Sequence, residues 1–135
     1  MKTVQPEGWA PAKGYANGVV CEGGRTVYVA GQIGWDGAQR FVSDDFVAQF
    51  DQALANVVAV VEAAGGAATD IVKMTVYVTD LDAYRSSLRG VGAAWRARLG
   101  KHFPAMALVG VAGLVEREAK VEIEATAHIT REETR

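Results

Sequence analysis

The run from Phe103 to Ile129 decides the fold, because it reads as two strands joined by a charged turn. The first, Ala105-Met106-Ala107-Leu108-Val109-Gly110-Val111-Ala112-Gly113-Leu114, has no polar side. The second, Lys120-Val121-Glu122-Ile123-Glu124-Ala125-Thr126-Ala127-His128-Ile129, alternates strictly. Successive strand side chains point to opposite faces, so Glu122, Glu124, Thr126 and His128 share one face and the apolar residues take the other. A strand with no wet face, beside one that lines up carboxylates, points to a buried sheet carrying a polar site.

The segment before this pair supplies a third strand. Ile71 to Val78 is β-branched, with Val72, Met74, Val76 and Val78 on one side and Lys73, Thr75 and Tyr77 on the other. After it, Asp80 or Asp82 can cap a helix whose stripe is Tyr84, Leu88, Val91, Trp95 and Leu99. Arg85, Arg89, Arg96 and Arg98 lie off that line and form a solvated face, with the option of one reaching an anion across an interface. Gly90 and Gly92 each cost up to ~1 kcal/mol relative to alanine inside a helix, so packing must hold it. Gly100 ends it, and Pro104 disfavours helical geometry at Phe103.

An earlier helix is predicted from an N-cap at Ser43 to the Gly65-Gly66 stop, with Phe46, Phe50, Leu54, Val57, Val58 and Val61 on one face. Before it, Val19-Val20-Cys21 and Thr26 to Ala30 flank Glu22-Gly23-Gly24-Arg25, which reads as a tight hairpin. The predicted order is β-β-α-β-α-β-β in a single domain, 1–135, with 1–13 an extended lead-in and 130–135 a tail. Two helices cover one face of such a sheet, and no third helix is available for the other. A second copy of the subunit is the simplest cover, so a homo-oligomer is expected.

Composition narrows the function classes. Half the residues are hydrophobic, 22% are charged, and the net charge is −2. That balance gives no general electrostatic grip on nucleic acid or an anionic membrane. The single cysteine, Cys21, permits no intrachain disulfide. No secretory h-region and no apolar stretch of about 20 residues is seen, so a cytoplasmic protein is expected. His102 and His128 lack a third ligand at metal-binding spacing, so neither a metal nor a cofactor is expected.

Glu122 and Glu124 carry the main choice. They are a solvated sheet face, or one of them is desolvated at a subunit boundary and shuttles protons. Gly31-Gln32-Ile33-Gly34 is either a bend after a strand or exposed backbone N–H groups facing a ligand. Trp9 and Trp35 lie in loops, where they pack into the core or wall a pocket.

Several motifs follow one another in register. They are Lys13-Gly14-Tyr15-Ala16-Asn17-Gly18-Val19, Val29-Ala30-Gly31-Gln32-Ile33, Asn56 with the helix end Val61-Glu62-Ala63-Ala64-Gly65, Asp70 to Val78, Phe103-Pro104-Ala105, and Val121-Glu122-Ile123-Glu124-Ala125. Together they resemble the RidA/YjgF family of reactive intermediate deaminases, from about Gly14 to His128. The resemblance implies a chorismate-mutase-like α+β fold, a mixed sheet with two helices on one face, and a homotrimer around a central barrel. It also implies hydrolysis of enamines and imines in clefts between subunits.

Carried onto this chain, the resemblance makes Glu122 the catalytic residue that holds or activates water. Tyr15, Ala30, Gly31, Met106 and Leu108 become substrate-binding positions, with Trp35 as a further wall. Ala30 stands where many members have serine, and Leu108 where cysteine is common. Met106 stands where the deaminases carry the arginine that clamps the substrate carboxylate, which places the chain in an arginine-lacking branch. The second-helix asparagine of active members falls at Leu88 or Arg89. Losing a charged hydrogen bond of the arginine kind costs roughly 1.5–3 kcal/mol, and the candidates for a substitute cation from a neighbouring subunit are Arg85, Arg89 and His102. The expected partners are two further copies of the chain and a small molecule, uncharged or weakly charged and with room to be aromatic. The alternatives are a non-catalytic metabolite-binding or chaperone-like trimer and, least favoured by the acidic balance, a ribonuclease.

Overall fold

A computed structural model of the chain describes residues 1–130; residues 131–135 of the expected tail lie outside the described residues. The alternating segments pair into one four-stranded sheet. Its strands are β3 (Arg25–Ile33), β4 (Ile71–Val78), β5 (Ala105–Gly110) and β6 (Val121–Ile129), in the order β3-β6-β4-β5. Strand β6 runs antiparallel to both neighbours, and β5 runs parallel to β4. A small second sheet pairs β1 (Lys2–Val4) with β2 (Gly18–Val20). The helices are α1 (Phe46–Ala63), α2 (Leu81–Arg85) and α3 (Leu88–Leu99).

The apolar side of each strand meets the helices. Met74, Val76 and Val78 of β4 and Val121, Ile123 and Ala125 of β6 join Phe50, Leu54, Val57 and Val61 of α1 in one core. Among the described residues α1 alone has the length and hydropathy of a membrane-crossing segment. Its apolar stripe lies in that core. Gly90 explains itself in the same way: a β-carbon there would sit 2.9 Å from a methyl of Val47, so α3 approaches α1 through a glycine.

Five sequence expectations change. Gly23 and Gly24 both adopt positive φ, but they pass the chain between sheets rather than closing a hairpin: β2 pairs with β1. The first strand pair therefore uses residues from the lead-in. The cap of α1 is Asp45, whose carboxylate accepts from the Ala48 N–H, while Ser43 Oγ accepts from the Asp45 N–H. The second helix is two helices, because Ser86 Oγ turns back onto the carbonyls of Asp82 and Ala83. The strand expected over 105–114 ends at Gly110, and β4 lies between it and β6. Trp9 is largely exposed rather than packed in the core.

Candidate functional site

Strand alternation sends Glu122, Glu124, Tyr77, Thr75 and Lys73 to the side of the sheet away from the helices. There Tyr77 Oη donates to Glu124 Oε1 at 2.6 Å. That bond, reinforced by the negative charge of Glu122, holds the Tyr77 phenol above its ordinary value. Glu124 is thus a structural acceptor on an exposed face, and the two carboxylates have separate surroundings.

Glu122 is half-buried and lies against β3 where the pairing slips. Register is lost between Val29 and Gln32, a bulge that leaves Ala30 and Gly31 opposite no single partner. Gly31 leaves space for the glutamate: a β-carbon there would lie 2.7 Å from Glu122 Cδ and 3.1 Å from Oε1. Gly31, Ile33, Trp35, Val115, Glu116 and Glu122 line one shallow pocket of about 190 Å³. The strand that forms it is anchored from α1. Asn56 Nδ2 donates to the carbonyls of Ile33 (3.1 Å) and Trp35 (2.7 Å), and Gln52 Nε2 donates to Asn56 Oδ1. Trp35 packs on Phe41 with ring centroids 5.8 Å apart. Glu122, Gly31 and Trp35 are therefore one preorganised unit, with Ala30 exposed at its edge.

Met106 and Leu108 lie elsewhere. On β5 they turn towards the helices and pack against the core, where they line a pocket of about 220 Å³ with Trp95, Val91, Arg96 and Phe103. Gly14 reaches the rim of the same pocket. The next residue, Tyr15, opens into an adjoining groove with His102 and Phe103. The Ala16 N–H fixes this segment by donating to the Pro104 carbonyl at 2.9 Å. Met106 and Leu108 on the edge strand β5, with Tyr15 in the adjoining groove, thus make a second unit on the opposite face of the sheet from Glu122. Strand β6, which carries Glu122, is two interstrand spacings from β5, about 10 Å. Within one chain the expected site residues form two separate groups.

A match to the family described as Endoribonuclease L-PSP spans residues 6–129. The chain belongs to the RidA/YjgF family. It is 42% identical over 130 residues to the 2-iminobutanoate/2-iminopropanoate deaminase of Salmonella typhimurium, covering 93% of this chain and 96% of that one. The human protein of the same name is 35% identical over 104 residues, 76% of this chain and 72% of its own. Among solved structures, the Yersinia pestis Rid-family protein YyfB superposes with a TM-score of 0.84 at 32% identity, covering 95% of this chain and 98% of that one. The Escherichia coli YjgF gene product gives a TM-score of 0.67 at 39% identity, with 95% and 98% covered.

For this RidA-family chain the cations considered as arginine substitutes fare unequally. Arg85 pairs with Asp82 at 3.2 Å on the surface. His102 is committed to the fold, its Nε2 donating to the Ile71 carbonyl at 2.6 Å while its own carbonyl accepts from Trp95 Nε1. Arg89 lines neither pocket. The sequence reading named Asn56 and Arg96 but gave neither a place in the site. Asn56 enters there only as part of a family motif, and Arg96 only as one of four arginines off the stripe. Among the described residues no group of three or more potential metal ligands occurs.

Proposed function

We propose that the protein hydrolyses imines derived from amino acids, in clefts between copies of a homotrimer. The observation that carries this reading is the Glu122 carboxylate held over the Gly31 backbone, in a chain that aligns over nearly its whole length with imine deaminases. The open edges of β3 and β5, and Tyr28 exposed on the uncovered sheet face, supply surface for association. A partner copy laid along these edges would bring the Met106 half-site of one chain to the Glu122 half-site of the next.

The chemistry needs one base in two roles. Glu122 takes a proton from a water that attacks the imine carbon; the C=N π pair moves to nitrogen, giving a tetrahedral aminoalcohol. The carboxylic acid so formed returns the proton to nitrogen. Glu122 then relays the hydroxyl proton to the amine nitrogen, the C–N bond breaks, and ammonia leaves as the keto group forms. An enamine would enter by protonation at carbon, giving the same imine. No metal or cofactor is needed for these steps.

The test is the loss of 2-iminopropanoate generated in place from serine by a dehydratase. The wild type should accelerate its conversion to pyruvate and ammonia, and Glu122→Gln should lower the rate by roughly 10²-fold or more. Equal turnover by the variant would remove Glu122 from the mechanism. Met106 in place of a carboxylate-clamping arginine favours one second reading, a metabolite-binding trimer. Ligand-dependent stabilisation without turnover of any imine would select it.

A further inference from the structure

The pocket beside Met106 has a cation that the fold does not use. Arg96 lines it, and its guanidinium lies back along α3, because a β-carbon on Gly92 would stand 3.4 Å from Nη1. The other arginines of these two helices are Arg85, Arg89 and Arg98. Arg85 is paired with Asp82, and Arg98 binds both carboxylate oxygens of Asp51. Arg89 does not line the pocket. The Arg96 guanidinium has no hydrogen-bond or ion-pair partner among the described residues, and the residue is exposed, so the cation stays hydrated while the pocket is empty. Apart from Tyr84, which carries a phenol, the lining around it is largely apolar, with Phe50, Val76, Val91, Leu108 and Met106 in it.

We propose that Arg96 is the carboxylate clamp of this site, and that the ligand is a small monocarboxylate carrying an apolar tail. The carboxylate lies on the guanidinium at the pocket mouth, where two charge-assisted hydrogen bonds form without burying an unpaired charge. The tail enters between Met106, Leu108 and Trp95. Methionine adapts to branched and aromatic tails alike, and about 220 Å³ suits a side chain of amino-acid size. Moving the cation from β5 to α3 leaves Met106 free to recognise the tail. The substrate class that follows is the imines of branched-chain or aromatic amino acids, in preference to the shortest ones. This rests on the imine-hydrolase reading for the substrate's nitrogen, but not for its carboxylate or its tail.

Binding and turnover separate the two. The probe is 4-methyl-2-oxopentanoate, a stable keto acid, titrated calorimetrically into the intact protein, with its neutral amide as comparison. The wild type should bind the acid at least about tenfold more tightly than the amide. Arg96→Gln should lose roughly ten- to a hundred-fold for the acid and little for the amide, with the thermal midpoint unchanged. Arg96→Lys should recover part of the loss, and Arg85→Gln should bind like the wild type. Acid binding unaffected by Arg96→Gln, or no saturable binding by the wild type, would overturn the proposal. Arg96-dependent binding without imine turnover would uphold it while removing the hydrolase reading. Imine turnover indifferent to Arg96 would do the reverse.

Discussion

Gly31 and Gly34 are both crowded, and they should fail differently when given a side chain. A β-carbon at 31 meets the far end of Glu122, at Cδ and Oε1, which can swing away at little cost. A β-carbon at 34 meets Gln49 at Cα and Cβ, 2.7 and 2.6 Å away, so a helix must move. Gln49 is fully buried and bonds the carbonyls of Ser43 and Glu118 and the N–H of Lys120. We expect Gly31→Ala to keep stability within about 1 kcal/mol of the wild type. Its imine turnover should fall by roughly tenfold or more, because the carboxylate is displaced from its working position. Thermal melts alongside initial rates check this, and a variant with unchanged turnover would mean that Glu122 needs no such placement. Period-2 alternation put Glu122 on the polar face with Glu124, and the family resemblance alone chose between the two. Arg96 was not legible, since helical periodicity assigns it only to the wet face; its direction depends on the room that Gly92 leaves.

The helices are joined by one surface ion pair with good geometry, Arg98 Nε and Nη2 on the two oxygens of Asp51 at 3.0 and 2.9 Å. The Arg98 hydrogen bond holds the Asp51 carboxyl below its ordinary value of 3.8. A carboxyl depressed in the folded state adds stability above its unfolded value, and that contribution is lost as pH falls through the folded one. Both side chains remain more than a third exposed, so water screens the pair. Asp51→Asn should therefore cost about 0.5–1 kcal/mol near neutrality. In urea melts the gap from the wild type should close as pH drops below about 4; a gap that persisted in acid would show that packing, not charge, joins α1 to α3. Helix α1 and strands β4 and β6 were readable because their periodicity is local and long. The partner of β2 was not, because pairing with β1 is set by residues outside the Gly23-Gly24 turn. The break at Ser86 was hidden because one apolar stripe runs through both helices, α2 and α3.

Across the whole molecule, one chain carries a carboxylate half-site at β3 and β6 and a pocket half-site at β5 and α3, on opposite faces of the sheet. The family resemblance implied a cleft between subunits, but spacing along the chain does not say which face or which copy supplies each residue. Subunit complementation measures this directly. Glu122→Gln removes the base, Met106→Trp fills the pocket, and each variant alone should be inactive towards imines. Refolded together in equal amounts, they should regain activity, since about one cleft in four would then join two intact half-sites from different chains. A mixture no more active than its separate components would contradict a site shared between copies.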